Sequence, residues 1–331
     1  MKILAPVTSV YEAEELLAGG ATELYCGLHP LVWEKHFGKE VWLNRRAGGF
    51  GNIADLASLQ ATVATAQKVN VPVYLTLNLP AYPAELYSAL LELVKAVTEQ
   101  CGVAGLIISD PGLIRAVKET LPKVSIHVSS LAAVLNSEAV ELFRDLGVCR
   151  IIFPRYMDIG DMQQIMQACP NLEYEVFALN DGCIFEEGYC NASHALGGAF
   201  CHNPAWSYTW REHDAEFTAP RHESLPKHLE DYRWWQWVAI KNSGGIPGPT
   251  GLSSGMCGLC ALPQFKAMGV TALKIVGREA PLAKKKASVK LLHTVGELIN
   301  VGDPPEVVKI KAKSLRNKPE LCHSGYMCYY R

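Results

Sequence analysis

The chain has 331 residues, 49% hydrophobic and 19% charged, and a formal net charge of −2. That much apolar sequence can bury a sizeable core, in one large domain or two. The balanced charge gives no global pull toward nucleic acid or an anionic membrane, so a small-molecule substrate is expected and nucleic acid is not.

The opening "MKILAPVTSV" carries too short an apolar run for a signal peptide, and no segment is long and apolar enough to span a bilayer. A cytoplasmic protein with no membrane insertion is therefore expected. In that reducing setting the eleven cysteines are not expected to pair as structural disulfides. Clustered ones then suggest metal, and scattered ones suggest core.

Eight short β-branched runs recur along the chain: 2–7, 23–28, 73–79, 105–110, 125–130, 150–155, 174–180 and 272–278. Helical periodicity fills most gaps, as in "YEAEELLAGG", "AELYSALLELVKAVTEQ" and "SEAVELFRDLG", the first and last ending on glycine. Alternating strands and helices build a parallel sheet, and eight strands close a barrel. The predicted fold is α/β, a (β/α)8 TIM-type barrel with a long Cys/Trp-rich insertion between strands 7 and 8. It divides into barrel strands 1–7 over residues 1–180, the insertion over 181–270, and strand 8, a final helix and a tail over 271–331. The basic runs "AKKK" and "KIKAKSLRNK" read as solvated helix faces.

Loops that follow barrel strands lie on the carboxy-terminal face, where barrel enzymes hold their chemistry. Polar residues ending the strands should converge there: Tyr25, Asn78, Asp110, His127, Ser129, Arg155 and Arg278. Capping of a strand end is the competing role for each one. The insertion opens directly after strand 7 with "NDGCIFEEGYCNASHALGGAFCHNP", which carries Cys183, Cys190 and Cys201, and "SGMCGLCALP" adds Cys257 and Cys260. Only the last pair has the C-x2-C spacing typical of zinc, and the wider spacings suit an iron-sulfur cluster, so both centres stay open, with His194 and His202 near enough to substitute at zinc. Packing as small hydrophobes suits Cys26, Cys101, Cys149 and Cys169, but not five cysteines set among Gly, Asn and Glu. Cys322 and Cys328 read as part of a frayed tail.

"EVFALNDGCIFEEGYC" resembles the signature of the collagenase-like peptidase family U32. "LAPVTSVYEAEELLAGGATELYCGL" resembles its opening, "IHVSSLAAVLN" and "IIFPRYM" its fifth and sixth strands, and "AMGVTALKIVGRE" its closing motif, with Val276 where the family usually has Glu. The resemblance implies an oxygen-independent hydroxylase holding a 4Fe-4S cluster on four cysteines, with prephenate as source of the hydroxyl oxygen. By the same resemblance Cys183, Cys190, Cys201 and Cys257 are the ligands, with Cys260 the alternative fourth. Arg155 and Arg278, with Arg46 third, would hold a prephenate-like dicarboxylate, and His127 and Asn78 complete the expected catalytic group.

Two other readings stand beside this one. A peptidase is the family's older label, but "HESLPKH" has the wrong spacing for a metalloprotease helix, and "GLSSG" lacks the strand and helix of a nucleophile elbow. A partner-dependent iron-sulfur subunit, working with a homologous protein, is the third. The tryptophans 206, 210, 234, 235 and 237 lean toward an aromatic substrate or a partner surface.

Overall fold

The computed structural model describes residues 1–38, 42–46, 49, 51–183, 187–188, 227, 230, 255–325 and 327–330. Cys190, Cys201, His194, His202, His222, Ser253 and the five tryptophans of the insertion lie outside the described residues.

All eight expected strands form. They are β1 (Lys2–Pro6), β2 (Glu23–Cys26), β3 (Val73–Leu77), β4 (Gly105–Ile108), β5 (Ser125–Val128), β6 (Arg150–Ile152), β7 (Glu173–Asn180) and, last in the ring, Ala272–Ile275. Each pairs in parallel with its neighbours, Leu4 standing opposite Glu23 on one side and Lys274 on the other. The β6–β7 pairing, with Ile151 opposite Tyr174, closes the ring. A short extra strand, β8 (Met256–Cys257), runs antiparallel to the end of β7. The closing strand Ala272–Ile275 is therefore β9.

Both faces of these strands are covered, so they read as apolar runs and not as alternations. The outer face meets the helices, through residues such as Leu24, Leu75, Leu106, Ile126 and Val176. The inner face carries a separate cluster of Leu4, Tyr25, Tyr74, Ile107, Ile152, Phe177 and Val276. Helix starts are fixed by capping: Ser9 accepts from Glu12 N, Asp55 from Ser58 N and Asn136 from Ala139 N. The predicted helix over 84–100 is tight over Ala84–Leu86, regular over Tyr87–Lys95 and wide over Ala96–Gln100, where the Thr98 hydroxyl donates to Val94 O at 2.7 Å.

The lower barrel holds charge. Arg150, fully buried, donates to Glu23 at 2.7 and 2.8 Å, to Glu175 at 3.1 Å and to Glu173 at 2.8 Å. Lys274 donates to the other Glu175 oxygen at 2.7 Å. Burial opposes the Arg150 charge, but its bonds to Glu23 and the charges of Glu175 and Glu23 outweigh it and hold the guanidinium above its ordinary pKa.

Two expectations fail here. Lys284 and Lys285 of the "AKKK" run are buried, not solvated, because the helix Leu282–Asn300 packs on the barrel and Lys285 reaches Glu12 at 2.8 Å. The tail does not fray: Met327 is buried, and Tyr329 and Tyr330 donate their hydroxyls to Asp181 O and Phe177 O at 2.7 and 2.8 Å.

Candidate active site

A cavity of about 120 Å³ opens at the carboxy-terminal end of the ring. Tyr25, Thr76, Asn78, Ile107, Ser129, Ile152, Arg155, Phe177, Lys274, Val276 and Arg278 reach it from the strands or the residues just after them, and Arg45, Arg46, Asp181, Cys183 and Glu187 from the loops. The strands supply a rigid floor of Ile107, Ile152 and Phe177, and the loops supply most of the charge.

Arg278 reaches the mouth because Gly277, at φ +94, turns the chain back at the end of β9. Its guanidinium is buried and donates to Asn44 Oδ1 at 2.7 Å, Asn52 Oδ1 at 3.0 Å and Thr76 Oγ1 at 3.2 Å. All three acceptors are neutral. Burial pulls Arg278 down to about 10, partly offset by Tyr25, so it stays cationic at neutral pH. Glu279 acts on it through space, but a buried cation whose described hydrogen-bond acceptors are all neutral is costly unless an anion joins it.

Arg155 and Arg46 are already compensated. Arg155 makes an ion pair with Glu187, donates Nε to Asp181 O at 3.0 Å and lies over the Phe177 ring, 3.8 Å from its centroid. Arg46 pairs with Glu279 at 2.8 Å and approaches Asp181 at 3.7 Å. Asp181 Oδ1 is buried without a hydrogen-bond partner. Asn78 accepts from Arg45 N at 3.2 Å and so fixes that loop.

Three residues expected at the mouth are elsewhere. Asp110 caps the helix Pro111–Thr120, accepting from Gly112 N at 2.8 Å, and also accepts from Tyr82 N at 2.9 Å. His127 points inward, but one layer deeper than Ser129. It lines a separate cavity at the amino-terminal end with Lys2, Tyr74, Ser125, Cys149 and Glu173. Cys257 follows Met256, which joins the inner-face cluster, so strand alternation turns Cys257 outward, where it packs against the outer core. Sequence reasoning missed Asp181, Glu187, Asn44 and Asn52. The polar "NRRAGGFGN" was the one available signal for that wall.

His127 also carries a pH prediction. Burial and the cations Arg150, Lys274 and Lys2 pull its pKa well below 6.5, and its Nδ1 has no hydrogen-bond partner. Tyr74, with its ring 4.3 Å away, Ser125, Cys149 and Glu173 complete its surroundings. Between the folded pKa and 6.5 the unfolded chain binds more protons, so stability falls as pH drops below about 6.5. His127→Gln is expected to flatten that fall, read as the urea midpoint between about pH 7.5 and 5.5. Equal pH slopes in both proteins would count against it.

The fold and site thus define a TIM-type α/β barrel whose mouth is rich in cations and, among the described residues, bears Cys183 from the loop after β7. The profile of peptidase family U32 matches residues 8–331, and the chain belongs to that family. It is 31% identical over 133 residues to tRNA hydroxylation protein P of Escherichia coli strain K12, covering 40% of this chain and 29% of the relative. To the protein of the same name from Helicobacter pylori strain ATCC 700392 / 26695 it is 28% identical over 190 residues, 57% and 42% of the two chains. To tRNA hydroxylation protein P1 of Bacillus subtilis strain 168 it is 25% identical over 252 residues, 69% and 56%. The chain spans less than two thirds of the length of each. Among solved structures, the U32 peptidase Mk0906 is 14% identical over 64% of this chain and 85% of its own, with a TM-score of 0.47. Among the described residues, no helix is long and apolar enough to cross a membrane.

Proposed function

We propose that this protein is a hydroxylase-type oxidoreductase acting on a tRNA base without oxygen, with an anionic hydroxyl donor such as prephenate bound at the barrel mouth. The observation that carries the reading is Arg278, buried and, among the described residues, hydrogen-bonded to the neutral acceptors of Asn44, Asn52 and Thr76. A carboxylate would complete its shell through charge-assisted bonds. Arg155 has a different role. Its ion pair with Glu187 leaves it to hold the wall and orient Phe177.

The relatives' names carry tRNA, which argues against the expectation, drawn from net charge, that nucleic acid is no partner. A base would have to leave its stack to enter so recessed a mouth, and Tyr25 and Phe177 offer it aromatic surface.

An iron-sulfur cluster fits this mouth in part. Cys183 lines it, Cys190 and Cys201 lie outside the described residues, and Cys257 faces away. Held by Cys183, Cys190 and Cys201, a cluster would supply electron transfer beside the donor. A cysteine peptidase is less well supported, since no histidine lines the mouth among the described residues to serve as base to Cys183.

The test is anaerobic purification with iron and sulfide quantification, followed by nucleoside analysis of tRNA incubated with and without prephenate. We expect iron, sulfide and a visible absorbance, all lost in Cys183→Ala, and prephenate-dependent gain of a hydroxyl on one nucleoside. Iron-free, colourless protein, or full hydroxylation by Arg278→Gln, overturns the reading.

A further inference from the structure

Four cysteines outside the mouth lie near one another, contributed by two separate stretches of the last quarter of the chain. The tail lies alongside β8: Cys257 N donates to Met327 O at 2.6 Å and Tyr329 N to Cys257 O at 3.0 Å, making Cys257 and Cys328 register partners. Register partners share a face of the sheet, and alternation assigns that face. Met256 and Tyr329 belong to the inner-face cluster, so Cys257 and Cys328 face outward, while Tyr330 packs against both clusters with its ring 4.9 Å from Phe265. Cys260 sits in the turn Leu259–Ala261 immediately after, and Cys322 in the helix Pro319–Ser324.

These thiols are near enough to feel one another. Burial, with the neighbouring Cys257, pushes the Cys260 thiol up to about 11, and Cys328 and Cys322 add to this. Burial and Cys257 likewise raise Cys322. All four are half-buried and free of disulfides.

A second observation points to negative charge at this place. Arg316 is buried and donates Nη2 to Gly255 O, while its Nε and Nη1 have no partner. Its charge acts on Cys322, as does that of Lys313 from the same helix, Pro305–Arg316. No carboxylate pairs with Arg316 among the described residues. A buried cation with idle donors is expensive, and ionised thiols beside it would remove the cost.

We propose that Cys257, Cys260, Cys322 and Cys328 form a second metal site, on the outside of the barrel and separate from the mouth, that takes zinc. The C-x2-C pair from the β8 turn and the C-x5-C pair from the tail give the four thiolates of a closed structural site. Binding exchanges the four thiol protons for one divalent ion, with no change of oxidation state. The filled site carries two negative charges, which Arg316 and Lys313 offset. Among the described residues no three such ligands already stand in the close array of a filled site, so closure comes with the ion, through cysteine rotamer changes. The site would pin the tail to β8. It also removes Cys257 and Cys260 from the ligands available to a cluster at the mouth.

The experiment compares zinc, iron and visible absorbance in anaerobically purified full chain, Cys322→Ser/Cys328→Ser and Cys183→Ala. The tail variant is expected to lose about one equivalent of zinc per chain while keeping any iron and visible absorbance, and Cys183→Ala to keep its zinc. Wild-type protein without zinc, or a tail variant with undiminished zinc, overturns the proposal. Loss of iron from the tail variant also overturns it, since the thiols would then serve one shared centre. In case the tail variant does not fold, the wild-type chain is alkylated with iodoacetamide before and after zinc chelation, and the modified cysteines are mapped by mass spectrometry. Protection of Cys322 and Cys328 that is lost on chelation supports the site, and equal labelling overturns it.

Discussion

Arg150→Ala is expected to destabilise the protein by about 3–5 kcal/mol, enough to unfold many domains of ordinary stability. The guanidinium joins Glu23 from β2 to Glu175 and Glu173 from β7, and both Glu23 and Glu175 are buried. Removing it leaves two carboxylates facing each other inside the barrel, with Lys274 and the half-exposed Lys2 as their remaining cations among the described residues. The loss therefore comes from stranded charge more than from missing bonds. A variant that also carries Glu23→Gln and Glu175→Gln is expected to recover part of it. Urea unfolding of the single and triple variants checks this. A single variant within about 1 kcal/mol of wild type would show that the network is not a structural keystone.

The second large effect is expected at Gly27. A Cβ there would stand 1.7 Å from Arg278 Nη1, 2.1 Å from Asn52 Oδ1 and 2.9 Å from Asn44 Nδ2. Gly27→Ala must push apart the three side chains that hold the mouth cation in place. Overpacking of this kind costs about 1–3 kcal/mol, which a well-packed barrel can survive. The displaced guanidinium loses its aim, and a charge-assisted bond is worth about 1.5–3 kcal/mol. Affinity for prephenate is therefore expected to fall about 10- to 100-fold, measured by calorimetric titration of folded protein. Unchanged affinity would mean that Arg278 does not receive the donor's carboxylate.

The two predictions concern side chains that the sequence shows very unequally. Arg278 ends a recognisable strand, and a cation at a strand end of a barrel is a natural binding candidate. Arg150 starts a strand and looks like any charged flank. Its partners Glu23 and Glu175 lie 127 and 25 residues away, and no local pattern links them. Likewise Asn44 binds Arg278 across 234 residues. Asp110 and Asn78 look alike in sequence, each polar at a strand end, yet one caps a helix and the other holds a loop at the mouth.

The sequence alone determined the eight-strand ring and the place of its loops, because strand and helix periodicity are local properties and a closed parallel barrel fixes which end the following loops occupy. It also determined that Cys183 would stand at that end, directly after β7. Only the tertiary structure decided which cations are compensated, how deep each inward residue sits, and that Cys257 turns away from the mouth toward Cys328. Those outcomes follow from cross-strand pairing and burial between distant segments, where charge must find countercharge and alternate residues must take opposite faces.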